Sequence, residues 1–231
     1  MEAIVLSGGF GTRLAGIVKD LPKPMAPVSG RPFLEYVMDD LIRQGVNRVI
    51  LAVGYKKKSI IEHFRDTYQG CAILYSQEDN PLLTGGAIRQ ALSLCREDLV
   101  FIVNGDTFFQ VDLAALRAFS QNRPEEIVIA VKEMRNFSRY GTVKFTSEGK
   151  IIAFTEKSPC SHGYINGGIY DIPRQMLENW PERFSLENDC FPALLAQGRL
   201  SCLPCKGTFI DIGVPEDYQR AQGLFGGGRF A

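Results

Sequence analysis

Short apolar runs and longer segments of helical period alternate through the first half of the chain. Residues 3–6, 49–53, 72–75 and 99–103 are apolar runs of strand length. Between the first two, Phe33, Leu34, Val37, Met38, Leu41 and Ile42 recur at helical spacing and stop near Gly45, a C-terminal cap. Residues 59–64 read as a second helix, and residues 84–95 as a third with Ile88, Ala91, Leu92 and Cys95 on one face. Strands apolar on both sides, alternating with amphipathic helices, predict βαβ units and a mainly parallel sheet covered on both faces. From about residue 125 the pattern changes to shorter strand-like runs at 127–131, 141–145, 151–155 and 165–170. The turn Ser147-Glu148-Gly149-Lys150 signals a hairpin, so the second half is expected to be more antiparallel. A last strand at 209–211 leads into a helix at 215–222, where Pro215 suits a first turn and Glu216 and Asp217 complement the helix dipole. Residues 226–231 read as a loose tail, and no repeat or low-complexity linker divides the chain.

Composition narrows the functional classes. Lys and Arg number 26 against 26 Asp and Glu, so no global field holds a polyanion, and neither nucleic acid nor an anionic membrane is an expected partner. No apolar run approaches the ~20 residues of a spanning helix. The start, with Glu2 and early glycines, lacks the pattern of a secretory signal, and the six cysteines are expected as reduced thiols in a cytoplasmic protein. Leu224 and Phe225 raise a homodimer contact or a packed tail as alternatives.

The segment after the first strand, Leu6-Ser7-Gly8-Gly9-Phe10-Gly11-Thr12-Arg13-Leu14, fails both familiar phosphate-loop patterns. Leu14 stands where the dinucleotide fingerprint needs its third Gly, and Ile17-Val18 replaces the Lys-Ser/Thr of a Walker loop. What remains is a run of small residues whose amides approach an anion, with Arg13 and Lys23 nearby, an arrangement suited to a triphosphate. A glycine-rich turn with two solvated cations is the plainer reading, but Pro22 and Pro24 fix the backbone around Lys23 and so preorganise its charge.

Asp106, in Asn104-Gly105-Asp106, follows an apolar strand and so stands at the carboxyl edge of a parallel sheet, where open α/β folds bind ligands. An Asx turn is the alternative there. Asp211 likewise follows a strand. Two such carboxylates suffice for Mg²⁺, which takes one or two carboxylates plus substrate phosphates. Glu156-Lys157 reads as an exposed ion pair or a ligand contact, and Asn166-Gly167-Gly168 as a bulge or a close backbone approach. Cys202-Leu-Pro-Cys205 has zinc-knuckle spacing that Cys160 and His162 would complete, though nothing gives the two pairs a shared location.

The run Gly8 to Leu14 with Pro22-Lys23-Pro24-Met25-Ala26-Pro27 resembles the signature of sugar-nucleotide pyrophosphorylases, the nucleotidyltransferases that join a nucleoside triphosphate to a sugar 1-phosphate. Further matches follow in the family's order over nearly the whole chain: Leu82 to Ala87, Asn104 to Asp106, Phe154 to Lys157, Ile165 to Tyr170 and Asp211 to Tyr218. The wording and length are nearest to members that guanylylate a heptose 1-phosphate for surface polysaccharide. The resemblance implies an α/β, Rossmann-like doubly wound fold of glycosyltransferase-A type with a mixed, mainly parallel sheet and a small antiparallel sugar-binding part. It implies one domain over residues 1–231, with nucleotide bound by about 1–125 and sugar phosphate by about 126–225. GTP and a sugar 1-phosphate are the implied partners and Mg²⁺ the cofactor. The nucleotide falls to Leu6, Ser7, Gly8, Gly9, Gly11, Thr12, Arg13 and Lys23 in the first loop. Gln77, Glu78, Pro81, Thr84, Gly85 and Gly86 fall in the base segment, with Asn104 and Gly105 beyond it. Tyr140, Gly141, Glu156, Lys157, Asn166, Gly167 and Gly168 take the sugar phosphate; Asp106 and Asp211 hold the metal; Arg13, Lys23, Lys157 and Asp106 are catalytic. One departure is Leu83, where relatives commonly have Gly. The same chemistry with UTP or dTTP on a hexose or amino-sugar 1-phosphate, and a non-catalytic nucleotide-sugar sensor, stay open as alternatives. A dinucleotide oxidoreductase is disfavoured by the broken fingerprint.

Overall fold

A computed structural model describes residues 1–9 and 21–227. In chain order its strands and helices are β1 (Glu2–Leu6), β2 (Pro27–Val28), β3 (Arg31–Pro32), α1 (Phe33–Arg43), β4 (Arg48–Val53), α2 (Lys57–Phe64), β5 (Thr67–Tyr68), β6 (Cys71–Gln77), α3 (Leu83–Leu92), β7 (Leu99–Asn104), β8 (Thr107–Phe109) and α4 (Leu113–Gln121). There follow β9 (Ile127–Phe137), β10 (Val143–Phe145), β11 (Ile151–Phe154), β12 (Cys160–Pro173), α5 (Phe191–Ala196), β13 (Leu200–Cys205), β14 (Phe209–Asp211) and α6 (Pro215–Gly226).

Among the described residues, one eight-stranded sheet carries the fold, in the order β13-β9-β12-β7-β1-β4-β6-β5. Strands β7, β1, β4 and β6 are mutually parallel, the half that the sequence pattern predicted. Beyond β7 the sheet turns mixed: β12 lies antiparallel to both β7 and β9, while β13 is parallel to β9. The pair β10–β11 is antiparallel, as expected of the second half, and β14 pairs antiparallel with β8, a strand that the sequence pattern did not predict.

Both faces of the parallel strands are buried, which is why they read as continuous apolar runs. Ala3, Val5, Leu51, Phe101 and Val103 face a layer made by Phe33, Leu34, Val37 and Leu41 of α1 with Ile60 and Phe64 of α2, Leu116 of α4 and Phe225 of α6. Ile4, Ile50, Val100 and Ile102 face Ile88, Ala91 and Leu92 of α3 and Phe191 and Leu194 of α5. At ~25 cal/mol per Å² of apolar surface, these two layers are the main force holding the sheet between its helices.

Phe225 is only 4% exposed and packs against the rings of Phe33, Tyr36 and Phe108, which favours the packed tail over a homodimer contact at this residue. Two expectations need correcting. Gly226, assigned to a loose tail, is the last residue of α6; residues 228–231 lie outside the described residues. The helix that α3 makes also stops at Leu92 rather than residue 95, with Leu94 and Cys95 amides closing the turn on Ala91 and Leu92 carbonyls. No helix of the described residues is long and apolar enough to cross a membrane.

Candidate active site

The connections from β1 to β4 and from β6 back to β7 depart to opposite sides of β1, so the β1/β7 boundary is the topological switch point of the parallel half. A cavity of about 430 Å³ opens there, at the carboxyl ends of the strands. Leu6, Gly8 and Gly9 line it after β1, Glu78 and Pro81 after β6, and Asn104 and Asp106 after β7. Close backbone approach shapes the cavity wall. The Gly105 amide donates to the Leu6 carbonyl at 2.9 Å, and a Cβ at Gly105 would stand 2.7 Å from both Leu6 O and Ser7 Oγ.

Lys23 is the charged centre of the mouth. Pro22 and Pro24 flank it in a short 3₁₀ turn, Lys23–Met25, in which the Met25 amide bonds Pro22 O and the Ala26 amide bonds Lys23 O. Its ammonium donates to Asp106 Oδ2 at 2.5 Å and reaches Asp211 Oδ1 at 3.5 Å. The side chain is only 11% exposed, so this cation is held in place by its partners. The two carboxylates meet because β14 pairs with β8 in a register that puts Asp211 opposite Thr107, and the Ile212 amide bonds Asp106 O. The Gly213 amide fixes Asp211 further, donating to its Oδ1 at 2.7 Å. A cation bridging two carboxylates from distant strands shows that the pair is arranged to accept positive charge. Among the described residues no group of three or more His, Cys, Asp or Glu gathers into a metal cluster.

The segment that the sequence reading assigned to the base is built on Glu78. One carboxylate oxygen accepts the Leu82 amide at 2.9 Å, while burial pushes its pKa upward. Thr84 donates its hydroxyl to Glu187, which also lines the cavity from the turn Leu186–Cys190. Gly85 and Gly86 differ from expectation. Both amides donate to Phe184 O, at 3.0 and 3.1 Å, and neither residue lines the cavity. Their small size admits Phe184 and the Glu182 carbonyl against α3, so they hold the wall up from behind. Gln77 likewise stays outside, its carbonyl accepting from Gln90.

The residues read as sugar-facing form a connected chain beside this centre. The Tyr140 hydroxyl lies 3.5 Å from Asp211 Oδ2, and burial followed by the Asp211 charge raises its pKa. Gly141 is pressed against the carbonyl of Thr155, next to Glu156 and Lys157, and the Thr142 amide donates to Thr155 Oγ1. Glu156 and Lys157 are exposed and form no ion pair with each other or with any described residue. Asn166-Gly167-Gly168 is a bulge in β12, across which the register jumps from Asn166↔Val131 to Ile169↔Ala130. There Gly168, at φ +74°, stands against Asn104 of the cavity.

Sequence reasoning therefore located Leu6, Gly8, Gly9, Lys23, Glu78, Pro81, Thr84, Asn104 and Asp106 in one cavity. Gly11, Thr12 and Arg13 lie outside the described residues. Pro24, Ala52, Leu83, Ala87, Glu187 and Gly213 also line the cavity. Glu187 had a local signal, since Ser185 caps the turn by accepting the Asn188 amide, but no spacing tied that turn to residues a hundred positions earlier. The zinc reading is not supported: Cys160 pairs with Phe137 and Cys205 with Lys132 on the same strand, five residues apart, or ~17 Å.

The chain matches the nucleotidyl transferase family model over residues 2–224. It is 43% identical over 224 residues to D-glycero-alpha-D-manno-heptose 1-phosphate guanylyltransferase of Aneurinibacillus thermoaerophilus, covering 96% of this chain and 97% of the relative. The protein of the same name from Campylobacter jejuni is 44% identical over 223 residues, covering 94% and 97%. Among solved structures, HddC from Yersinia pseudotuberculosis complexed with GMP-PN superposes with a TM-score of 0.88 at 34% identity, over 97% of this chain and 99% of that one. Family match, near-complete coverage and a cavity at the switch point agree, and the chain belongs to the nucleotidyl transferase family.

Proposed function

We propose that this protein transfers a guanylyl group from GTP to D-glycero-α-D-manno-heptose 1-phosphate, giving GDP-heptose and pyrophosphate. The observation that carries the reading is Lys23 held between Asp106 and Asp211 at the mouth of a cavity at the β1/β7 switch point. The guanylyltransferase relatives and the GMP-PN complex of HddC support the choice of base and sugar.

An oxygen of the sugar 1-phosphate attacks the α-phosphorus, and the bond to the bridging oxygen of the β-phosphate breaks in line with it. The nucleophile is already ionised, so no general base is needed; positioning and charge stabilisation suffice. Lys23, with Arg13 from the first loop, neutralises the charge that grows on the departing pyrophosphate. Lys157, exposed and without an ion pair among the described residues, orients the incoming phosphate, with Tyr140, Gly141, Glu156 and the Asn166 bulge around the sugar. Glu78 offers a carboxylate oxygen in the cavity wall, matched to guanine, whose N1–H and exocyclic amine are adjacent donors. Asp106 and Asp211 suit a divalent cation such as Mg²⁺, since one cation already bridges them here. When bound, it would screen the triphosphate's charge and polarise its α-phosphate. On this reading residues about 1–125 supply most of the nucleotide site, joined by Glu187 and Gly213 from the later part, and residues about 126–225 hold the sugar phosphate. Charged, water-soluble substrates of this kind suit a cytoplasmic enzyme.

Pyrophosphate release with Mg²⁺, measured for GTP, UTP, dTTP, CTP and ATP against heptose, mannose, glucose and N-acetylglucosamine 1-phosphates, tests the assignment. Release confined to GTP with the heptose is expected. Lys23→Ala and Asp106→Asn should each lower turnover by far more than tenfold, the equivalent of ~1.4 kcal/mol, and a smaller loss refutes their roles.

A further inference from the structure

Six described residues other than glycine have left-handed backbone: Ser29, Lys56, Arg65, Gln69, Leu83 and Asn136. Five are polar. Leu83, at φ +63°, alone combines the strain of a side chain in that region with an apolar one. It is also 43% exposed, one of few large apolar side chains left open to solvent, and it lines the cavity. Two costs thus fall on one residue, and neither is repaid by packing inside the protein.

The surroundings impose the conformation. Glu78 accepts the Leu82 amide, the Phe184 amide donates to Leu82 O at 3.2 Å, and Thr84 is tied to Glu187. With residue 82 and residue 84 both fixed, Leu82 turns inward, 8% exposed, and Leu83 is left facing the cavity beside Pro81 and Ala87.

We propose that Leu83 is a specificity-determining residue: its side chain is the apolar shelf on which the flat base of the nucleotide packs, and it favours a purine over a pyrimidine. The argument rests on the cavity being the nucleotide site, as proposed above. A purine's two fused rings cover more of the leucine than a single ring does, so shelf contact discriminates by size while the neighbouring carboxylates read hydrogen-bond donors. Burying most of an aliphatic side chain at this interface corresponds to about a tenfold change in affinity.

Equilibrium dialysis of GTP and of UTP with wild type, Leu83→Ala and Leu83→Gly tests this, alongside melting of each protein without nucleotide. Both variants should bind GTP about tenfold more weakly and UTP less than threefold more weakly. Free Leu83→Gly should melt at or above wild type, because glycine relieves the backbone. GTP affinity within twofold of wild type in both variants overturns the shelf, as does an equal loss for GTP and UTP. A lower melting temperature for free Leu83→Gly also overturns it, since the leucine would then pack within the protein. Wild-type protein that prefers UTP instead refutes the guanylyl assignment, and the purine preference with it.

Discussion

Replacing Gly168 by alanine tests how closely the β12 bulge abuts the cavity at the switch point. Gly168 has φ +74°, and an added Cβ would stand 2.6 Å from Asn104 Nδ2, 3.1 Å from its Cγ and 3.3 Å from its Cβ. The left-handed backbone alone costs a non-glycine residue ~1–2 kcal/mol. The Asn104 amide nitrogen and Cγ stand too close to the new methyl, and turning that side chain out of its place adds a further ~1 kcal/mol of crowding that its removal would relieve. The total of ~2–3 kcal/mol corresponds to a fall in melting temperature of ~5–10 °C for a chain of this length. Because Asn104 lines the cavity, its displacement should also weaken GTP binding several-fold. Calorimetric melting of Gly168→Ala, Asn104→Ala and the double variant separates the two parts. Crowding makes the double variant more stable than the sum of the single changes by ~0.5–1 kcal/mol, whereas the backbone cost stays in both. A melting temperature within 2 °C of wild type, or strict additivity with GTP affinity unchanged, would refute the reasoning.

Glu78→Gln keeps the acceptor for the Leu82 amide but removes a carboxylate whose pKa burial raises. A raised pKa means that the folded protein holds the proton more tightly than the unfolded chain, so this residue's favourable contribution is present at low pH and lost as pH rises through its folded value. The variant should therefore gain stability relative to wild type between the ordinary carboxylate range and neutrality; denaturant titrations showing a constant or opposite difference would contradict this. Burial pushes the thiols of Cys95, Cys190 and Cys202 up to about 12 and Cys205 to about 11, while Cys160 lies half-exposed at the start of β12. Iodoacetamide followed by mass spectrometry should modify Cys160 first and the buried thiols of Cys71, Cys95, Cys190 and Cys202 only after unfolding, and equal labelling of Cys160 and Cys202 would count against the packing around β13.

The parallel half was legible because its strands are buried on both faces and its helices on one, so period alone separates them. β9 and β12 were read too short for the opposite reason. Past Val131 and before Ile165 they form a two-stranded ribbon in which His162 bonds Glu133 at 2.7 Å, and such polar pairs carry no apolar signature. β13 escaped because Pro204 and two cysteines interrupt its apolar run, and β8 because three residues have no period. Lys23 and Asp106 could be named from proline flanks and a strand end. Gly85 and Gly86 looked like ligand contacts in the sequence, yet their partner Phe184 lies about a hundred positions away, a distance that local pattern does not cross.

The pairing of β8 with β14 has a consequence for synthesis. Lys23 and Asp106 are 83 residues apart and Lys23 and Asp211 are 188, so the charged centre closes one of the longest loops in the chain. Such non-local contacts form late, since ordering the intervening chain must precede them. On the ribosome, residues 1–125 can build the parallel sheet while Asp211 has yet to emerge. Until β14 docks, a nascent chain holds a lysine and an aspartate at its growing cavity with the second carboxylate missing. If the proposed roles of Asp106 and Asp211 hold, catalytic turnover would report on the completion of the charged centre rather than on the parallel sheet alone, and chains ending before Asp211 would be folded in part and inert.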